Sequence, residues 1–291
     1  MFPPRFRYEA PRSIAEAVSL LHDGGGEAKV LAGGQSLVPL LKLRFASPEL
    51  LVDINNLPDL AYHRVDESGA LHIGALCRHA DLEHSSVLPG RQPTMTAAAP
   101  LIADPIVRTR GTLVGSLCHA DPQGDWAAVM TALGGQVVAQ GPGGRRTIAI
   151  GDFVTGPFQN TLAYDEVAVE AIVPAAQGRL VGGFLKLERR VGDFATAGTA
   201  VALELDGDRV RRAGIALSGV GGRTIDAREA GDSLAGQVLD AAAIARAADL
   251  AAAAAEPRSD HRGSADYKRH VIHTFVTRIL TGVTTTTTKA A

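Results

Sequence analysis

Cysteine is nearly absent from this sequence. Cys77 and Cys118 are the only two in 291 residues, too few for a disulfide framework or for the four thiolates that an iron–sulfur cluster takes. Any such cluster belongs on another chain. Charge of either sign in excess is also missing: 29 Lys and Arg stand against 31 Asp and Glu, for a net charge of −2. That balance excludes a polyanion as the natural partner and gives no reason to expect nucleic-acid binding. There is no uninterrupted apolar run of about 18 residues to span a membrane. The opening Met1-Phe2-Pro3-Pro4-Arg5 lacks the apolar stretch of a secretory signal, so a cytoplasmic location is expected. No internal repeat is present. No Ser-His-Asp order, metal-ligand cluster or acid/base pair stands out either, so demanding chemistry has to come from a cofactor. His270 and His273 lie at i, i+3 without a third ligand nearby, and they read as surface or packing residues rather than as a metal site.

What the chain does have is room. Its length suits two or three packed units that can enclose a large cofactor, and 46% apolar with 21% charged residues describes a globular protein. Ser13-Ile14-Ala15-Glu16 reads as a capping box, after which Ile14, Ala17, Val18 and Leu21 repeat at helical spacing until Gly24-Gly25-Gly26. Lys29-Val30-Leu31 is a strand signal running into Gly33-Gly34, and Ser36 stands where it can cap the apolar stretch Leu37 to Leu43. Leu50 to Ile54 reads as the next buried strand, which makes 1–55 a small α/β subdomain. Residues 56–176 form a second α+β subdomain, with a hairpin turn at Gly141-Pro142-Gly143-Gly144. In 177–283, three strands (Phe184 to Arg190, Ala197 to Leu205, Val210 to Leu217) precede helices over Leu239 to Ala255 and Tyr267 to Leu280, giving a C-terminal α+β domain. Residues 284–291, threonine-rich and without apolar pattern, are expected to be a disordered tail.

Two glycine turns carry the functional signal. In Ala32-Gly33-Gly34-Gln35-Ser36, between strand and helix, the absence of Cβ atoms lets backbone N–H groups converge on a phosphate at the positive end of the helix. The same pattern also serves as a plain tight turn. A second turn, Arg110-Gly111-Thr112-Leu113-Val114-Gly115-Ser116, leads into His119-Ala120-Asp121-Pro122-Gln123-Gly124-Asp125. Two such turns can grip a diphosphate from both sides. Asp125 can accept bonds from ribose hydroxyls or act as a helix N-cap, and His119 can be a hydrogen-bonded loop residue.

These residues resemble the FAD-binding medium subunit of molybdenum-containing hydroxylases, the carbon monoxide, nicotine and xanthine dehydrogenase class, over nearly the whole chain. The family's Ala-Gly-Gly-(His/Gln)-Ser-Leu-(Leu/Val)-Pro motif is present as Ala32 to Pro39, followed by Lys42-Leu43-Arg44. Its second motif appears as Arg108 to Ser116 with Asp121-Pro122 and Asp125 downstream; Val114 replaces the first glycine of a pair, and Asp104 stands where a His is frequent. Its third, Lys-x-x-x-Arg-Arg-x-x-Asp-(Tyr/Phe)-Ala, is matched by Lys186 to Ala195, with Phe194 at the aromatic position.

The resemblance implies a fold class of α+β, with a two-part FAD-binding domain of the PCMH (vanillyl-alcohol-oxidase-like) type and a C-terminal antiparallel sheet with helices of the CO dehydrogenase flavoprotein type. It implies FAD held by Ala32, Gly33, Gly34, Gln35, Ser36, Thr112, Gly115, Ser116, His119, Asp121 and Asp125, with Lys186 and Phe194 approaching the flavin. By the same alignment Lys29, Ile102 and Ala103 line the cofactor. It further implies an electron-transfer role, without catalytic residues of the chain's own. A small subunit with two 2Fe–2S clusters supplies the electrons, and a large subunit carries a molybdenum-cytosine-dinucleotide-type cofactor. The whole is expected to form a dimer of heterotrimers. A self-sufficient FAD oxidoreductase and an assembly subunit that has lost FAD stay open as alternatives.

Overall fold

The computed structural model describes residues 2–290, with side chains through Thr284. Three parallel strands begin the chain, in the order Arg7–Glu9, Leu50–Asp53, Ala28–Leu31. Helices cross between them because parallel neighbours cannot be joined by a tight turn. The helix Ile14–Asp23 makes the first crossover and buries Ala17, Val18 and Leu21, the stripe its periodicity announces. Ser13 Oγ accepts the Glu16 N–H at 3.1 Å, while the Glu16 carboxylate reaches one residue further back, to the Arg12 N–H at 2.7 Å. The helix Leu37–Leu43 makes the second crossover. The strand Arg7–Glu9, too short and too polar to show in a hydrophobic pattern, adds an edge.

The second sheet is antiparallel throughout: His63–Val65, Leu71–Gly74, Val167–Val173, Gln136–Gly141, Gly144–Ala149. Its last pair is the expected hairpin, closed by Pro142-Gly143 with Gly144 at φ 102°. The helix Asp125–Leu133, almost wholly buried around Trp126, fills the core shared by the first two sheets.

A four-stranded antiparallel sheet follows, Arg179–Leu187, Ala197–Asp206, Arg209–Ser218 and Ile225–Asp226. The helices Ala241–Ala254 and Ala265–Ala290 pack on it through Ala247, Ala248, Ala251, Ile272, Val276 and Leu280, and make a second core. The expected tail from residue 284 falls within that last helix, and its side chains from 285 on, with all of Ala291, lie outside the described residues. The two cores meet without a linker. A Cβ on Gly214 would sit 1.9 Å from the Ala132 carbonyl oxygen, so the buried helix lies directly on a strand of the C-terminal sheet. Thr94 Oγ1 donates to the Val201 carbonyl at 2.7 Å across the same seam. Among the described residues no helix is long and apolar enough to cross a membrane.

Candidate functional site

Parallel strands deliver their carboxyl ends to one edge of the sheet, where ligands of open α/β sheets collect. Here Leu31 pairs with Asp53, so the turn after the first of these strands lies beside the Asp53-Ile54-Asn55 turn after the second. Asn55 is fixed first: Asp53 Oδ1 accepts its N–H at 2.9 Å and its amide Nδ2 at 2.6 Å, and Tyr8 holds the other carboxylate oxygen at 2.6 Å. The same Nδ2 donates to the Ala32 carbonyl at 2.8 Å.

The turn 32–36 then adopts the form only glycine permits. Gly34 has φ 74°. Gly33 is buried, and a Cβ there would lie 2.2 Å from the Arg110 carbonyl oxygen and 2.8 Å from Gly111 Cα. The first glycine turn therefore rests on the backbone of the second. The N–H groups of Gly33, Gly34 and Gln35 have no acceptor among the described residues. Ser36 makes no side-chain cap to the helix that follows, contrary to the capping role expected of it, because its backbone is already in the helical region (φ −96°, ψ −46°). A cleft of about 510 Å³ opens against this turn, lined by Ala32 to Gln35, Val38, Asp53 and Asn55 and by the cations Lys42 and Arg110.

The second turn is built as firmly. Thr112 caps the helix Leu113–His119 by accepting the Gly115 N–H at 3.1 Å, which leaves no room for a Cβ on Gly115 (2.7 Å from Thr112 Oγ1). Val114 is 2% exposed, with its side chain in the main core. That explains how a β-branched residue stands at a position where the family has glycine: the helix turns it away from the surface. Behind Gly111 sits buried His79, which accepts from Trp126 Nε1 at 3.0 Å. Burial pushes its pKa down to about 4, so it stays neutral. Asp104 is the N-cap of Pro105–Arg108, accepting from the Val107 N–H, which settles its local role. Arg108 forks onto Glu83 (2.7 and 3.2 Å) and gives its two Nη1 N–H groups to the Ile102 and Ala103 carbonyls. Ala103 is held at φ 49°, and Gly192 packs against it.

Seven residues of helix, about 10 Å, carry the chain from Thr112 to His119, which faces Phe158 at 5.1 Å and whose pKa burial lowers. Asp121 turns the loop by accepting the Gln123 N–H at 2.9 Å. Asp125 follows in the first turn of the buried helix with Gly124 as N-cap, so it is not the cap itself. Its Oδ2 accepts a hydrogen bond from Lys186 Nζ at 3.1 Å. Lys186, 1% exposed at its side chain, gives its other two N–H groups to the Leu101 and Asp193 carbonyls, at 2.5 and 3.2 Å. Glu188 Oε2 lies 3.2 Å from the same ammonium. Every donor of Lys186 is thus spent inside the protein. Asp125 Oδ1 is left buried without a hydrogen-bond partner among the described residues. Burial pushes the Asp125 carboxyl up to about 6, against the pull of Lys186. Beside this cluster Phe194 is 51% exposed, with its carbonyl held by Arg262 at 3.2 Å.

The expected residues therefore gather at two stations joined by one short helix. Lys29 is exposed on its strand, on the same face as Leu31 one pleat before the cleft, and does not line it. Asn55, Arg78, His79 and Glu188 were not singled out beforehand. His273 pairs with Asp249 at 3.3 Å, and no group of three metal-ligating side chains occurs among the described residues.

Residues 4–176 match the model of the FAD binding domain in molybdopterin dehydrogenase, and residues 183–283 that of the CO dehydrogenase flavoprotein C-terminal domain. The chain belongs to the molybdopterin dehydrogenase flavoprotein family. It is 44% identical to the carbon monoxide dehydrogenase medium chain of Hydrogenophaga pseudoflava, over 96% of this chain and 97% of that one. The nicotine 6-hydroxylase medium subunit of Paenarthrobacter nicotinovorans is 35% identical over 95% and 96%. Among solved structures, carbon monoxide dehydrogenase from Hydrogenophaga pseudoflava superposes with a TM-score of 0.92 at 43% identity, covering 97% of this chain and 98% of that chain. Quinoline 2-oxidoreductase from Pseudomonas putida 86 does so at 0.88 and 34%, with 97% and 98% covered. The α+β fold expected from the motifs is the fold of this flavoprotein family, and the chain is an oxidoreductase subunit.

Proposed function

We propose that this flavoprotein holds FAD between its two glycine turns and passes electrons from two 2Fe–2S clusters on a small subunit to an external acceptor. A large subunit would bind the molybdenum cofactor and hydroxylate the substrate. The observation that carries the reading is the run of three backbone N–H groups without acceptors among the described residues, Gly33 to Gln35, beside Lys42 and Arg110. Consecutive free amides flanked by cations fit a diphosphate. At the other station, the orphaned Asp125 Oδ1 fits a ligand hydroxyl or N–H, because a buried acceptor without a donor costs about 1–3 kcal/mol.

When bound, FAD supplies the ability to exchange electrons singly or in pairs. The chain's own residues do the rest. Gly33 to Ser36 with Thr112, Gly115 and Ser116 would seat the phosphates, His119, Asp121 and Asp125 would receive the polar groups between them, and Lys29 stands one pleat from the cleft. Lys186 ties the 101–103 segment to the 188–194 loop, so Ile102, Ala103 and Phe194 keep their places against the ring. Phe194 at 51% and Val191 at 91% exposure present this end outward. An outward end favours a relay between partners over a self-sufficient oxidoreductase with an enclosed substrate pocket. The same reading takes 1–176 as the two-part cofactor domain and 177–283 as its C-terminal companion, places the assembly in the cytoplasm and makes it a dimer of heterotrimers.

Colour tests it. The purified protein is expected to be yellow, and to bleach when its partner subunits and reducing substrate are supplied. A folded, colourless preparation that takes up no added FAD refutes the reading and leaves an assembly subunit.

A further inference from the structure

Between the two glycine turns runs a bridge of side chains that does not reach the cleft's free amides. Arg78 gives Nη1 to the Arg110 carbonyl at 2.6 Å and Nη2 to Asn55 Oδ1 at 2.6 Å, while Asn55 Nδ2 holds the Ala32 carbonyl at 2.8 Å. Each turn thus offers one carbonyl, and a single two-residue bridge ties them together. We infer that Asn55 and Arg78 are positioning residues that set the spacing and orientation of the two turns for a dinucleotide diphosphate; this rests on the reading that these turns hold one.

Three observations make the bridge more than a local tie. First, the peptide planes are trans, so anchoring the Ala32 carbonyl fixes the opposite direction in which the Gly33 N–H points. That N–H is the first of the three without an acceptor. Second, Asn55 is held in one rotamer by Asp53, which accepts both its N–H and its Nδ2, and Tyr8 orients Asp53 in turn. Its amide can serve Ala32 and Arg78 together only in that pose. Third, the Arg78 guanidinium is partly buried beside Arg110, and burial and then Arg110 lower its pKa. A cation kept there against its solvation is held by the two oxygens it reaches. The bridge also draws together the two backbones that meet where Gly33 rests on Arg110.

The test compares full-length deflavo-protein of Asn55→Ala, Arg78→Ala and the double variant, with Glu67→Ala, an exposed residue between the strands His63–Val65 and Leu71–Gly74 and outside the network, as the control. FAD is titrated by flavin fluorescence, and the phosphorus NMR signals of the bound diphosphate are recorded. Each single variant is expected to bind FAD about ten- to fiftyfold more weakly. The double is expected to be no more than about threefold worse than the weaker single, since either loss opens the same bridge. The phosphorus signals move in all three, and Glu67→Ala binds within about threefold of the parent. Where an alanine variant does not fold, Asn55→Ser and Arg78→Lys replace it, with the same shifts expected. Unchanged phosphorus signals with parent-like affinity, or fully additive losses, overturn the inference while FAD uptake by the parent upholds the functional reading. A parent that takes up no FAD overturns both.

Discussion

Gly33→Ala is the sharpest perturbation this site offers, because one methyl group is asked to enter the junction of two backbones. The Cβ would stand 2.2 Å from the Arg110 carbonyl oxygen, whereas carbon and oxygen approach to about 3.3 Å at closest. The turns must therefore separate by roughly 1 Å. Shared along the bridge from Ala32 through Asn55 and Arg78 to Arg110, whose links are now 2.8, 2.6 and 2.6 Å, that separation carries one link out of hydrogen-bonding range. A link from the Arg78 guanidinium represents about 1.5–3 kcal/mol. If the phosphate contacts depend on that spacing, FAD binding weakens by about 10- to 150-fold. The comparison variant is Gly34→Ala, where φ 74° and contacts of 3.1 and 3.2 Å to the flexible ends of Leu31 and Val38 impose about 1–2 kcal/mol of backbone strain but leave the junction closed. Isothermal titration of both deflavo-proteins with FAD decides. Equal losses at the two positions, or a Gly33→Ala protein that binds like the parent, would refute the argument from the junction.

Asp125 and His79 oppose each other in pH. The Asp125 carboxyl is raised from 3.8 to about 6, so its stabilising contribution is complete below 3.8 and is lost as pH rises through 6. His79 is depressed from 6.5 to about 4, so its contribution is present above 6.5 and is lost as pH falls through 4. Asp125→Asn removes the first alone, and its melting temperature is expected to fall more steeply than the parent's between pH 6.5 and 4. In the parent, a ligand donor on Asp125 Oδ1 lowers that carboxyl's pKa, so FAD uptake strengthens as pH rises through 6, and titrations of Asp125→Asn show that slope flattened. Lys186→Met leaves the buried Asp125 and the partly buried Glu188 without their shared cation and should cost about 3–5 kcal/mol in urea unfolding; a loss below about 1 kcal/mol contradicts the buried pairing. Val114→Gly empties a core position and places glycine in a helix, for about 2–4 kcal/mol of stability, while the folded protein keeps its FAD affinity; tighter binding would mean that Val114 obstructs the cofactor.

How far the sequence reaches can be judged residue by residue. The turn 32–36 was legible because a glycine pair between a strand and an amphipathic stretch has few structural meanings. The helices and the three long strands of the C-terminal sheet were legible because each buries one face, and burial writes a period into the sequence. Asn55 and Arg78 were not legible. Their role arises only when parallel register sets Asp53 beside Leu31 and when Arg78 pairs across to Thr112, both long-range events. Had Asp53-Ile54-Asn55 been weighed as the second carboxyl end of a parallel pair, Asn55 could have been a candidate. The inward turn of Val114 was hidden for a related reason: a motif letter says which residue is usual at a position, while the direction of the side chain depends on where the helix begins, and Thr112 decides that.

The seam at Gly214 and Ala132 bears on how such a subunit can diversify. A helix backbone lying on a strand backbone with no side chain between them cannot slide or widen without opening a gap along both cores. Asp125 opens that helix and Lys186 lies on the sheet it touches, so the two halves share one fit. An exchange that joined the first half of this protein to the last hundred residues of a distant relative would inherit a mismatched joint under the ring end of its own site. Grafts cut at residue 177 are therefore expected to succeed only between relatives that keep a small residue at the Gly214 position, and surface loops far from the seam are the freer ground for new partners and acceptors.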